Sequence, residues 1–130
     1  DAQQSAPETG SEQTSQQLPA SRIAFIRSAI DHWCADLGYK DSTVNMLTLS
    51  RMLDINKNEL SQYFSQCQHT TFRIWLGEIR FNAAKKMMME NPDFSNDIIS
   101  SECGFSSRSY LYKIFKEKEG CTPVAWRERQ

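Results

Sequence analysis

Two sets of polar side chains recur at steps of three and four, the spacing that places residues on one face of a helix. Arg108, Ser109, Tyr112, Lys113 and Lys116 face away from Leu111, Ile114, Phe115 and Lys118, and Asn58, Ser61, Gln62 and Ser65 face away from Leu60, Tyr63, Phe64 and Cys67. The chemistry open to these groups is recognition. Arg can pair with guanine O6 and N7 through two hydrogen bonds, Asn and Gln can pair with adenine in the same way, and Lys can reach guanine or a phosphate. Catalysis has no comparable support. The chain holds no nucleophile–base pair, carboxylate dyad or phosphate-binding glycine loop, so no enzyme is expected. Cys34, Cys67, Cys103 and Cys121 form no C-x-x-C pair and read as small buried hydrophobes of a reducing compartment. His32 and His69 lack ligand spacing, so neither a metal nor a cofactor is expected.

Those polar faces need elements to hold them. From Asp97 to Arg127, Ile98, Ile99, Ser100 and Cys103 give a short helix one buried face, and Gly104 supplies a sharp left-handed turn. Phe105 closes that turn, and Ser106 or Ser107 caps the next helix. The same layout occurs earlier. Thr48 can cap a short helix bearing Leu49, Met52 and Leu53, Asp54 takes the turn, Ile55 closes it, and a second helix follows from about Lys57. Each unit is a helix-turn-helix. Before them, Ile23, Ile26, Ile30, Trp33 and Leu37 predict an amphipathic helix with Ser21 as N-cap and Gly38 past its last turn. Between them, Phe72, Leu76, Ile79, Ala83 and Met87 form a stripe, widened by Trp75, on a helix from Phe72 to Glu90 that Asn91-Pro92 stops. At 1.5 Å per residue it is a rod of about 28 Å. Its Met87 to Met89 run reads as core filler, and Ser95 or Asn96 caps the helix that follows. The fold class is therefore all-α, with two helix-turn-helix units joined by a long linker helix, about seven helices in all.

Charge and composition set bounds. With 39% hydrophobic and 24% charged residues the 130-residue chain suits one ordinary globular domain plus a tail. Residues 1–20 are rich in Gln, Ser, Thr and Pro and hold Leu18 as their one bulky apolar residue, so they read as a flexible linker, with a low-complexity activation segment as the alternative. They carry −3, which leaves +2 on residues 21–130 from a total of −1, and residues 104–118 alone carry +3. Local placement of charge governs polyanion binding more than the total. Asp1 rather than Met at the start predicts a piece of a longer protein, whose remainder could hold a sensor or a membrane anchor. The domain expected over 21–130 divides into 21–90, the first unit with the linker helix, and 91–130, the second unit.

The two units match at an offset of 51: Leu60 with Leu111, Phe64 with Phe115, Thr71 with Thr122, Trp75 with Trp126. The pattern formed by Gly104, Phe105, Leu111, Phe115, Lys116, Gly120, Thr122, Pro123, Trp126 and Arg127 closely resembles the signature of AraC/XylS-type bacterial transcription regulators. The resemblance extends over roughly residues 21–130. It implies two recognition helices entering successive major grooves on one face of DNA, with Asn58, Ser61, Gln62, Arg108, Tyr112 and Lys113 as base readers. Lys57 and Lys116 are better assigned to phosphate. The chain departs from the family at His69, where the second copy has Gly120, and at Ser100, Cys103 and Leu111. Arg80 and Arg127 could bind phosphate or form ion pairs with nearby acids; Trp75 and Trp126 read as core, and Tyr110 could go either way. The expected partner is double-stranded DNA, with RNA polymerase as a partner of an activator and an upstream sensor or effector domain in the full-length protein. The expected location is cytoplasmic and nucleoid-associated. The alternative is a protein-interaction module that keeps the shape without DNA affinity, which the low net charge permits.

Overall fold

The computed structural model describes residues 17–130, so most of the linker expected over residues 1–20 lies outside the described part. Within it, Leu18 packs against the first core and Ala20 already begins a helix, which corrects the end of the expected linker. The elements run α1 (Ala20–Ala35), a 3-10 turn (Gly38–Lys40), α2 (Met46–Leu53), α3 (Lys57–Cys67), α4 (Phe72–Glu90), α5 (Asn96–Glu102), α6 (Arg108–Glu119) and α7 (Pro123–Glu128). Among the described residues all regular structure is helical. α2 and α3 form one helix-turn-helix, α5 and α6 the other, and α4 joins them.

Local chemistry sets the boundaries. Asn45 caps α2 by accepting from the Thr48 N–H at 2.9 Å, while the Thr48 hydroxyl accepts from the Asn45 N–H at 2.9 Å. Thr48 is thus the third residue of a capping box rather than the cap itself. Ser95, Ser107 and the repeat pair Thr71 and Thr122 cap their helices through side-chain oxygens. α1 begins at Ala20, one residue before the predicted Ser21 cap; Pro19 holds the N-cap position and makes no side-chain bond. Its far end also differs from expectation. Leu37, 48% exposed, takes the left-handed conformation (φ 64°), and Gly38 lies against the Trp33 indole, where a Cβ would overlap the ring. Gly38 is required by packing, and the strain passes to its neighbour. Asp54 (φ 55°) and Gly104 (φ 88°) make the left-handed turns predicted for them. His69 (φ 57°) takes the left-handed position that Gly120 (φ 75°) holds in the second unit, and α3 ends at Cys67, one residue earlier at the 51-residue offset than α6 does at Glu119.

The repeat is visible in the cores. Leu60 and Leu111, and Phe64 and Phe115, are fully buried in their units, and the Phe64–Trp75 ring pair (5.1 Å between centroids) has its counterpart in Phe115–Trp126 (5.6 Å). Before the recognition helices the offset is 50, pairing Ser50 with Ser100 and Ile55 with Phe105. The Ile55 and Phe105 N–H groups donate to the Ser50 and Ser100 carbonyls at 3.1 and 3.0 Å. The second unit therefore has one more residue between Phe105 and Leu111 than the first has between Ile55 and Leu60.

α4 belongs to both cores. Phe72 and Leu76 pack in the first, Phe81, Ala84 and Met88 in the second. At about 100° per residue these two buried sets point roughly 130° apart, so the single stripe predicted through Ile79, Ala83 and Met87 is replaced by two faces on opposite halves of the rod. Ile79, Ala83 and Met87 are half-buried, and of the methionine run Met88 is buried while Met89 is exposed. Two other residues expected to face inward, Met52 and Ile98, are exposed (Ile98 by 45%) because each lies at the rim of a helix of only two turns. Cys103 and Cys121 are buried and Cys34 and Cys67 half-buried, all as free thiols. Burial pushes the Cys103 pKa up to about 11, so it is a neutral core group at physiological pH.

Between the faces of α4 stands Arg80, 6% exposed. Its Nε donates to the Tyr39 carbonyl at 2.9 Å and its Nη2 to the Asp41 carbonyl at 2.8 Å. The segment it grips lies against the second unit at Gly104, and Lys40 pairs with Glu102 at 3.6 Å. Asp41 is itself fixed, since the Thr43 hydroxyl and N–H both donate to its carboxylate and hold its pKa below the usual value. Of the two roles open to Arg80, the structure assigns the architectural one, through backbone carbonyls rather than acids. Arg127 behaves alike, donating to Asn96 Oδ1 at 2.8 Å and to the Pro92 carbonyl at 3.1 Å.

Candidate nucleic-acid interface

α6 presents the more basic surface. Leu111, Ile114 and Phe115 are buried, which forces Arg108, Lys113 and Lys116 outward into solvent. Lys118, expected on the apolar side, is exposed and pairs with Glu78 of α4 at 3.3 Å. Tyr112 is half-buried, and its hydroxyl accepts from Asn96 Nδ2 at 3.4 Å. Arg108 faces Asp97 at 3.4 Å, with both side chains more than half exposed. An exposed pair of this kind contributes about 0 to 1 kcal/mol, so Arg108 can leave Asp97 for a base edge at small penalty.

α3 is built the same way with weaker charge. Leu60, Tyr63 and Phe64 are buried; Lys57, Asn58 and Ser61 are exposed and Gln62 half-buried. The eight residues thus divide into two groups on two helices, Lys57, Asn58, Ser61 and Gln62 on α3 and Arg108, Tyr112, Lys113 and Lys116 on α6. Gly77 lets α6 approach α4 closely; a Cβ there would stand 3.2 Å from the Tyr110 hydroxyl. Tyr110, open to either role in the sequence, packs edge-on against Phe105 at 5.2 Å between centroids.

The negative charge on the first recognition helix is neutralised from outside it. Arg22 of α1 donates to Glu59 through Nε at 3.1 Å and Nη2 at 2.8 Å, and this hydrogen bond raises the Arg22 pKa. Spacing within α3 carries no sign of this partner, 37 residues upstream. Without it a bare carboxylate would stand beside Asn58 and repel phosphates. Arg22→Ala is expected to weaken duplex binding about three- to tenfold at low salt, because one uncompensated charge enters the contact zone. Glu59→Gln in the same background should restore it, and fluorescence anisotropy would read both. A double variant as weak as the single one would refute the neutralising role.

The structure also opens a groove of about 750 Å³ between the two units, with the starts of α2 and α4 on one side and α6 on the other. Arg73, on the first turn of α4, and Lys113 both line it. Arg73 stands one residue past the apolar Phe72 and belongs to neither polar face, so its spacing carries no sign of a place in this groove.

Comparison with known proteins agrees with this geometry. A family model described as "Helix-turn-helix domain" matches residues 49–129. The HTH-type transcriptional regulator ExsA of Pseudomonas aeruginosa is 30% identical over 79 residues, 61% of this chain and 28% of ExsA. The HTH-type transcriptional activator RhaR of Escherichia coli (strain K12) is 26% identical over 125 residues, 95% of this chain and 38% of RhaR. The chain thus spans well under half the length of these two relatives. The DNA-binding domain of AdpA, "the global transcriptional factor", in complex with a target DNA, has the same fold, with a TM-score of 0.65 at 21% identity over 83% of this chain and 90% of that one. The chain belongs to the helix-turn-helix domain family, within the AraC/XylS type whose signature its residues carry.

Proposed function

We infer that the chain binds double-stranded DNA sequence-specifically to regulate transcription, with α3 and α6 in successive major grooves. The observation that carries this reading is the division of α6, whose buried Leu111, Ile114 and Phe115 turn Arg108, Lys113 and Lys116 outward beside a second helix of matching design. In this reading Arg108, Tyr112 and Lys113 contact base edges from α6, Asn58, Ser61 and Gln62 do so from α3, and Lys57 and Lys116 hold phosphates. Transcriptional activation is proposed from the relative named as an activator, RhaR. RNA polymerase and an upstream sensor or effector domain are the further partners proposed, and the cytoplasm is the proposed location. No catalytic step is assigned.

Selection from random duplexes tests the reading. A defined site should emerge, and its affinity should fall steeply with salt as neutralised phosphates release counterions. Arg108→Ala should relax one base position at a penalty of about 1 to 3 kcal/mol. No binding at low salt would leave the protein-interaction module as the surviving function, and an unchanged logo for Arg108→Ala would remove that residue from base reading.

A further inference from the structure

We propose that the groove between the two units is a seat for the DNA sugar–phosphate backbone, with Arg73 as a phosphate-binding residue that clamps the strand against α6. The inference rests on the DNA-binding reading and adds to it a contact outside both recognition helices. Its first ground is charge. Arg73, Lys113 and the buried Arg80 all line the groove, and among the described residues no acidic one does. Arg80 is already committed to the Tyr39 and Asp41 carbonyls, whereas among the described residues Arg73 and Lys113 have no acidic partner.

The second ground is continuity. Lys113 and Ser109 belong to the outward face of α6, so the groove opens directly beside the helix proposed to enter a major groove. A helix lying in a major groove is flanked on either side by a sugar–phosphate strand. On the side toward the first unit that strand meets this groove. The starts of α2 and α4 border it as well, and their N-terminal dipoles add positive potential to that of the side chains. The lining is mixed, with Tyr110 and Met46 among the guanidinium, ammonium and hydroxyl groups, which suits a deoxyribose between two phosphates.

Arg73 is exposed, so replacing it should leave folding intact. In salt titrations with a random-sequence duplex, Arg73→Gln is expected to make the slope of log affinity against log salt shallower by about one, the signature of one lost phosphate contact. Arg73→Lys should keep most of the slope, and the selected base preference should be unchanged in both. Neutral methylphosphonates placed one at a time along the selected site should identify one phosphate whose neutralisation weakens the wild-type protein and has no further effect on Arg73→Gln. If the wild-type protein binds with a steep slope and Arg73→Gln binds identically, the clamp is wrong while DNA binding stands. If the wild-type protein binds no duplex, the DNA-binding reading itself fails.

Discussion

Gly104→Ala should destabilise the protein by about 3 to 5 kcal/mol, the combined effect of left-handed strain and a steric overlap that no rotamer relieves. The backbone at Gly104 has φ 88°, and a Cβ there would overlap the Tyr39 carbonyl oxygen while standing 2.9 Å from Arg80 Nε and 3.0 Å from Lys40 Cα. Its neighbours are backbone and a side chain already held by two hydrogen bonds, so the clash is resolved only by pushing the two units apart. Gly120 is the internal control. It has φ 75° with nothing within 4 Å of its Cβ position, so Gly120→Ala carries the strain alone, about 1 to 2 kcal/mol. Since 1 kcal/mol shifts the melting temperature of a domain of this size by about 4 °C, thermal unfolding separates the two. Equal losses would show that the Gly104 junction is loose enough to absorb a methyl group.

Arg80→Met is expected to remove about 2 to 4 kcal/mol, because two carbonyls lose charged donors and the replacement supplies none. Burial lowers the Arg80 pKa, yet a guanidinium stays charged at any physiological pH. The charged donor is therefore present wherever the protein is folded. Denaturant unfolding would measure the loss, and hydrogen exchange should show faster exchange at the Lys40 and Asp41 amides, which donate to the Leu37 and Gly38 carbonyls. Arg80→Lys should recover part of the stability, since an ammonium cannot hold the two carbonyls in the fork geometry of a guanidinium. A change within about 0.5 kcal/mol for Arg80→Met would place it among ordinary surface substitutions and dismiss its role as a staple.

What the sequence revealed was local. The limits of α4, the start of α3 at Lys57 and the left-handed turns at Asp54 and Gly104 were legible because each depends on residues within a turn or two of itself. Most of the exposed sets on α3 and α6 were legible for the same reason, as a buried apolar stripe fixes what must face out; Gln62 and Tyr112 are half-buried instead, and Lys118, read as inward, is exposed. The two faces of α4 were not, since periodicity assumes that a helix has one partner along its whole length. Nor were Arg80, Arg22 and Arg73, whose roles depend on which distant segment lies alongside. Leu37 departs from local preference: the left-handed residue is the leucine, while Gly38 serves the contact with Trp33.

The sharing of α4 between two cores has a consequence for the spacing of target sites. A rod whose halves are each embedded in a different unit transmits rotation as well as distance, so the angular phase of one recognition helix relative to the other is set by the protein. Each additional base pair between two half-sites turns one of them about 35° around the DNA axis. A flexible tether would follow that turn; α4 would not. The two cores thus make this helix a torsional gauge, under which sites of correct sequence but altered spacing would be rejected unless the DNA itself twisted to meet it.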